Sequence, residues 1–147
     1  MKFYWLLSFV WLTGCTVTTA DSFTQAQTTI QFSNAAQTQV QVYVADTPAE
    51  WKTGLGNISA LAANEGMLFI FPTPGEYSFW MKDVEYPLDL IWLLDDTIVA
   101  ITPHIQPQPQ TTLYYPPTPV NQVIEVPAGF IAEHDITVEQ GLTIMAK

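Results

Sequence analysis

Short apolar segments separated by turn residues are the feature that most limits the fold of this 147-residue chain. Residues 67–71 are continuously apolar and stop at Pro72. In the segment 88–94, residues 90–94 form a second apolar run, which ends at an Asp-Asp turn before residues 98–101. Residues 39–44 instead alternate between polar and apolar side chains. Segments of this length and pattern predict β-strands rather than helices. We therefore expect a mainly-β fold, a small jelly-roll-like sandwich or barrel with one or two short helices.

Capping and turn signals predict the remaining elements. Thr47, Pro48 and Glu50 give the order hydroxyl, proline and carboxylate that begins a helix, and Gly54 should end it. Residues 103–119 hold six prolines and should form an extended surface loop, because proline cannot donate to a strand ladder. Further strands are predicted at residues 28–32, 77–81, 122–126 and 142–145, and a second short helix at residues 128–134.

The N-terminus has the layout of a secretion signal. Lys2 precedes an apolar stretch that is too short to span a bilayer, and Leu-Thr-Gly-Cys15 resembles the bacterial lipobox, in which the new N-terminal cysteine carries diacylglycerol. We interpret residues 1–14 as a lipoprotein signal peptide, residues 15–29 as the lipidated cysteine and a flexible tether, and residues 30–147 as a single domain. An ordinary cleavable signal with a chance cysteine is the alternative.

Lipidation of Cys15 would hold the protein to a membrane of the cell envelope, outside the cytoplasm. Thr16 follows the cysteine, which by resemblance to the known sorting rule favours the periplasmic face of the outer membrane if the cell is Gram-negative. Cys15 is also the only cysteine, so the folded domain is left without a thiol. Disulfides, a cysteine nucleophile and thiolate metal sites are therefore excluded from that domain.

Charge and missing motifs narrow the function further. The chain has four lysines, no arginine and 14 acidic residues, for a net charge of −10, so we expect no nucleic-acid partner. It contains no His-Glu-x-x-His, Gly-x-Ser-x-Gly or phosphate-binding glycine loop, and only two histidines. Its acidic residues do not follow the spacing of a calcium loop. We expect neither a metal nor a cofactor.

Six segments together resemble the domain of unknown function 192 family of bacteria and archaea. They lie between about Val40 and Met145 and comprise residues 45–50 (ADTPAE), 54–55 (GL), 65–72 (EGMLFIFP), 79–83 (FWMKD), 87–89 (PLD) and 125–130 (EVPAGF). The resemblance implies a small all-β, jelly-roll-like domain with short helices, often behind a secretion or lipoprotein signal. It implies no reaction, because the activity of the family is not established.

The chain departs from the family pattern at three places. Gly56 and Asn57 stand where the family usually has methionine and often a basic residue, and Asp83 stands where asparagine is common. Many members carry cysteines in the loop that corresponds to residues 103–119, and this chain has none there. A metal or redox role for that loop is therefore not expected.

The sequence places its candidate site around Lys82. Asp83 and Asp89 follow within eight residues, and Trp80 precedes. If residues 77–81 and 88–94 form adjacent strands, Lys82 and Asp89 lie near facing strand ends, where they can act as an acid–base pair or hold a polar ligand. The preferred interpretation of this pair is a structural ion pair that fixes the register of the two strands.

Two residues near the proline-rich loop complete the candidate ligand-binding set. Tyr115 offers a ring on which a sugar can stack, as Trp80 does, and His104 opens the loop. We predict a membrane-tethered lipoprotein domain that binds a small polar ligand or an envelope partner and is not an enzyme. The alternative is an enzyme that acts on an envelope glycan with Lys82 and Asp89 as its acid–base pair, and a purely structural role comes third.

Overall fold

The computed structural model describes residues 26–108 and 112–145. The predicted signal peptide, Cys15 and most of the predicted tether lie outside the described residues. The described part contains β1 (Gln27–Phe32), β2 (Gln39–Ala45), α1 (Pro48–Thr53), a 3-10 turn (Gly54–Asn57), β3 (Glu65–Gly75), β4 (Leu88–Leu94), β5 (Thr97–Ile105), β6 (Val120–Pro127), α2 (Phe130–Glu133) and β7 (Leu142–Met145). Neither helix has the length and hydropathy of a membrane span.

The seven strands of the described residues form one curled sheet, a half-barrel, in the order β5-β4-β6-β3-β2-β1-β7. β2 and β3 run parallel, whereas the other neighbouring strands run antiparallel. The curl brings the two ends of the sheet together at a bridge between Thr97 and Gly141. The prediction of a mainly-β fold with two short helices is confirmed.

Apolar side chains cover both faces of the sheet, which explains the continuous apolar runs in β3 and β4. Ile91 of β4 belongs to a core cluster that includes Phe130 of α2. Leu90 and Trp92 alternate with it along the strand and belong to a second cluster that includes Phe79. We call these two sides of the sheet the α2 face and the cleft face.

The capping prediction for α1 is confirmed. The side chain of Thr47 accepts a hydrogen bond from the backbone of Glu50, and the Glu50 carboxylate accepts one from the Thr47 backbone over 3.0 Å. Gly54 follows the last helical residue with φ +49°, a conformation that glycine adopts at low cost. The second helix is also present, but it is shorter than predicted and spans only Phe130–Glu133.

The predicted strand at residues 77–81 is wrong. Within the described residues, this segment makes a single bridge, between Phe79 and Tyr114. β4, the expected neighbour, is hydrogen-bonded to β5 on one side and to β6 on the other, so it has no free edge. The segment therefore packs over the cleft face instead of joining the sheet.

The proline-rich loop begins later than predicted, because Pro103 and His104 belong to β5. β5 is an edge strand, where proline is tolerated. Opposite Asp89 the pairing with β4 shifts register, and His104 has φ +54°. The shift is a β-bulge, which leaves the His104 N–H outside the strand ladder.

Candidate functional site

A cleft of about 550 Å³ lies on the cleft face of the sheet. Residues 51–55 of α1 and the following turn form one wall, and residues 76–84 form another. Side chains of β3 and β6 contribute further lining, and Leu113 joins them from the proline-rich loop. The cleft has the size of a small-molecule site and is lined largely by apolar and aromatic side chains.

Aromatic rings in contact with one another form much of this lining. The Phe71 ring stacks on Tyr77 with 3.7 Å between centroids, and its centroid lies 5.0 Å from that of Trp51. The Trp51 indole is fixed by a hydrogen bond from its Nε1 to the Ala45 carbonyl oxygen, over 3.0 Å. These contacts hold the rings in place within the protein, so a ligand would meet a preformed apolar surface.

The turn after α1 packs directly against the backbone that carries Lys82. A Cβ atom added to Gly56 would lie 3.4 Å from the Lys82 carbonyl oxygen and 3.3 Å from the Asp83 Cβ. Asp83 itself has φ +59°. The two walls of the cleft are thus joined at one end by a close backbone approach.

Glu125 is a buried acidic side chain in the lining of the cleft. It lies in β6, where its cross-strand partners are Met67 of β3 and Leu90 of β4. The residue is 4% exposed, and its carboxyl makes no hydrogen bond with the described part of the chain. Burial among apolar neighbours raises the pKa of Glu125 to about 8. At neutral pH this carboxyl is therefore mostly protonated and can donate a hydrogen bond.

Tyr86 is a second buried polar group close to Glu125. Its hydroxyl is buried and has no hydrogen-bond partner within the described residues. Burial and the charge of Glu125 raise the pKa of Tyr86 to about 12, so the phenol stays neutral at physiological pH. Two neighbouring polar groups thus lie in an apolar region without hydrogen-bond partners among the residues that the structure describes.

Lys82 lies in the cleft wall, but its partner is not the one expected. Its Nζ lies 3.5 Å from Asp83 Oδ2 and 5.9 Å from the centroid of the Trp80 ring. The side chains of Lys82 and Asp83 are 36% and 57% exposed, so solvent screens their attraction. Trp80 also lines the cleft and is 40% exposed.

Asp89 belongs to the α2 face, on the opposite side of β4 from the cleft. Its Oδ1 accepts from the His104 N–H over 2.8 Å, and its Oδ2 accepts from the N–H groups of Gly129 and Ile131 over 3.0 and 3.1 Å. The residue is fully buried. Asp89 thus fixes the β5 bulge and the start of α2, and the expected pairing with Lys82 does not form.

The other two candidates lie away from the cleft lining. The His104 side chain is exposed on the bulge of β5, and Tyr115 is 57% exposed beside the bridge that Tyr114 makes with Phe79. Neither residue lines the cleft, although Leu113 of the same loop does. Their proposed contacts with a ligand remain predictions. In residues 26–108 and 112–145, no three His, Cys, Asp or Glu residues cluster as metal ligands would.

Sequence reasoning missed Glu125 as a site residue. It appeared only as the first residue of the segment 125–130 that resembles the family. A signal was present, because Glu125 stands between Val123-Ile124 and Val126 in a strand that reads as buried on both faces. An acidic residue in such a strand needs a partner or a function.

Comparisons with known proteins identify the family and the fold of this chain but do not indicate an activity. The DUF192 family model, described as an uncharacterised ACR, matches residues 29–144. A protein of Sinorhizobium meliloti 1021, described as a proposed transcription regulator, is 24% identical, with a TM-score of 0.76 over 82% of this chain and 95% of that one. A protein of unknown function from Novosphingobium aromaticivorans is 24% identical, with a TM-score of 0.71 over 78% and 83%. No curated protein matches the chain.

Proposed function

We propose that this chain, which belongs to the DUF192 family, is the ligand-binding domain of an envelope lipoprotein and takes a small molecule into the aromatic cleft. The proposal rests on one observation: the buried carboxyl of Glu125 lines the cleft and makes no hydrogen bond with the described residues. Buried polar groups in folded proteins almost always have partners. A ligand that fills the cleft would supply the missing one.

The surroundings of Glu125 support binding of a small molecule rather than docking of a protein. A volume of about 550 Å³ lies within the range of ligand pockets. The Phe71 ring contacts the rings of Trp51 and Tyr77, and all three residues contribute apolar surface to the lining. A few polar groups among such walls orient a ligand and give specificity.

Catalysis by Lys82 and Asp89 is not part of the proposal. The acid–base pair of that alternative needs the two groups to lie together, whereas Asp89 is held by three backbone N–H groups on the other side of β4. A glycan can still be a ligand of the cleft, because sugar rings stack on aromatic side chains. The binding site proposed for it now centres on Glu125.

The envelope location rests on the lipobox-like segment that ends at Cys15. We expect the full chain, expressed in a Gram-negative host, to fractionate with membranes and to carry acyl chains on that cysteine. A Cys15→Ser variant should lose both properties while its domain still folds. Membrane fractionation of both chains, with mass spectrometry of the N-terminal peptide, tests this; recovery of unacylated parent chain in the soluble fraction would contradict it.

A ligand screen on residues 26–147 tests the binding proposal. Library compounds that raise the Tm of the parent should lose their effect in Glu125→Gln and in Trp51→Ala, both of which alter the cleft. Tyr115→Ala and His104→Ala test the two earlier candidates, which lie outside the lining, and a ligand held in the cleft should keep its effect in both. If the hits keep their effect in the two cleft variants and lose it in the other two, the proposed site is wrong.

A further inference from the structure

We infer that the ligand of this cleft carries an organic ammonium group, which pairs with Glu125 while the aromatic walls hold its carbon skeleton. The inference rests on the proposed function and narrows its ligand to one chemical class. It begins from a group that the protein leaves unsatisfied: Glu125 is 96% buried, lines the cleft and has no hydrogen bond to the described residues.

The groups around Glu125 favour a cation over an anion. Met67 and Leu90 flank it across the strands, so no protein cation neutralises the carboxylate from β3 or β4 at those positions. Six aromatic residues line the cleft, and aromatic rings attract ammonium groups through their negative quadrupole. Glu76 adds a further carboxylate to the lining, and the chain as a whole carries a net charge of −10. A negatively charged protein concentrates cations near its clefts.

Two lysines of the lining oppose a cation only weakly. Lys82 has its own counter-ion, Asp83, at 3.5 Å, and both side chains reach solvent. Lys52 is exposed on α1. Because solvent screens charges at such positions, their repulsion of an ammonium beside the buried Glu125 is small compared with direct pairing in an apolar environment.

The inference predicts that binding releases a proton, which can be measured. The free protein holds Glu125 mostly protonated at pH 7, because burial raises its pKa to about 8. When the ammonium binds, the carboxyl releases its proton to solvent, and the carboxylate pairs with the ligand, which keeps all of its own protons. Binding at pH 7 should therefore release close to one proton, and affinity should rise with pH.

The size of the pH effect follows from the same linkage. With a Glu125 pKa of about 8, the dissociation constant of an ammonium ligand should fall about fifty-fold between pH 6 and pH 8. Tyr86, the other titratable group near Glu125, has a pKa of about 12 and stays neutral across this range. Glu76, Lys52 and Lys82 also face the cleft. A Glu76→Gln variant tests whether the effect comes from that second carboxylate.

The experiment compares two probes that share a ring and a side chain. Phenethylamine carries an ammonium group, and phenethyl alcohol carries a hydroxyl in its place. Calorimetry at pH 6, 7 and 8, in buffers of different ionisation enthalpy, gives the affinity and the number of protons released. We expect the amine to bind more tightly than the alcohol, with the pH trend above, and to lose at least tenfold in affinity in Glu125→Gln. The loss should be smaller in Glu76→Gln and absent in Glu133→Gln, which changes an exposed carboxylate on α2 outside the cleft.

The possible outcomes separate the inference from the proposed function. If the alcohol binds in the cleft as tightly as the amine at all three pH values, and neither probe releases a proton, the cleft is a binding site for neutral ligands and the inference is wrong. If neither probe nor any library compound binds the folded parent protein, both the inference and the proposed function fail. The proton release needs no variant, so the test holds even if Glu125→Gln unfolds.

Discussion

Two buried carboxyl groups on neighbouring strands differ in their hydrogen bonding to the rest of the protein. Asp89 of β4 is fully buried and accepts three backbone N–H groups. Glu125 of β6 is nearly as buried, faces the other side of the sheet and accepts none from the described residues. A carboxylate with all its acceptors occupied stabilises a fold, whereas one without partners adds a cost that a ligand can remove.

Replacement of Asp89 should therefore destabilise the domain far more than replacement of Lys82. Asp89→Asn puts an amide NH₂ where an oxygen accepts, and each buried donor left unsatisfied costs about 1–3 kcal/mol. Lys82→Met removes an exposed ion pair, which contributes about 0–1 kcal/mol, and an exposed contact with the Trp80 ring. Urea unfolding of residues 26–147 measures both. Equal losses in the two variants would mean that Lys82 and Asp89 act as one structural pair after all.

The stability of the domain should fall as Glu125 ionises. Its pKa is 4.5 in the unfolded chain and about 8 in the folded one, so between these values the folded state binds a proton that the unfolded state has released. The free energy of unfolding should then drop by up to about 1.4 kcal/mol per pH unit through this window. The contribution is complete below pH 4.5 and is lost as pH passes the folded value.

A Glu125→Gln variant isolates this effect, because its neutral amide has nearly the same shape as the protonated acid. The difference in Tm between parent and variant, measured from pH 5 to pH 9, cancels the titration of every other group. We expect the parent to lose about 10 °C or more in Tm relative to the variant over that range. A constant difference would show that Glu125 is already ionised in the folded protein.

Among the helices, strands and turns, those that the sequence predicted correctly depend on contacts between residues close together in the chain. Thr47 and Glu50 begin α1 through contacts three residues apart, and the turn at Asp95 joins β4 to β5 through adjacent residues. The strand expected at residues 77–81 did not form because it needed an edge of β4 that β6, whose paired residues lie 29 to 39 positions further along the chain, already occupies. That competition acts over a long stretch of chain, and so the failure of Lys82 to pair with Asp89 could not be predicted from local patterns.

Close contact between β3 and β6 depends on Gly66. A Cβ atom at this position would lie 2.5 Å from the Glu125 carbonyl oxygen and 3.1 Å from a Val126 methyl group. Because the nearer atom is backbone, the strands must separate to admit it. Gly66→Ala should lower the free energy of unfolding by about 1–3 kcal/mol, as overpacking typically does.

Gly141 offers the matched control for this substitution. An added Cβ there would meet nothing nearer than 3.7 Å, so Gly141→Ala should stay within about 0.5 kcal/mol of the parent. Denaturant unfolding of the three chains gives the comparison. If Gly66→Ala proves as stable as Gly141→Ala, the close approach of β3 to β6 is not as tight as described.

Over the whole molecule, the curl of the sheet protects edges that a flat sheet would expose. β5 and the segment that leads into β7 exchange hydrogen bonds, from Glu139 N–H to Ile98 O over 2.8 Å and from Ile98 N–H to Gln140 O over 2.9 Å. β7 in turn covers the outer edge of β1. Exposed strand edges invite association between chains. The closing contacts therefore serve solubility as well as stability.

A chain that ends at residue 138 should lose both benefits. It lacks the hydrogen bonds to Ile98 and the buried side chain of Leu142, whose removal alone costs about 1.5–3 kcal/mol, and it uncovers the edge of β1. We expect a Tm lower by at least about 8 °C and concentration-dependent association in sedimentation experiments. A chain that ends at residue 145 keeps β7 and should match the parent in both measurements. The outcome that contradicts this prediction is a monomeric chain that ends at residue 138 and keeps the parent Tm. It would mean that the inner strands hold the sheet and that closure between β5 and the β7 segment contributes little.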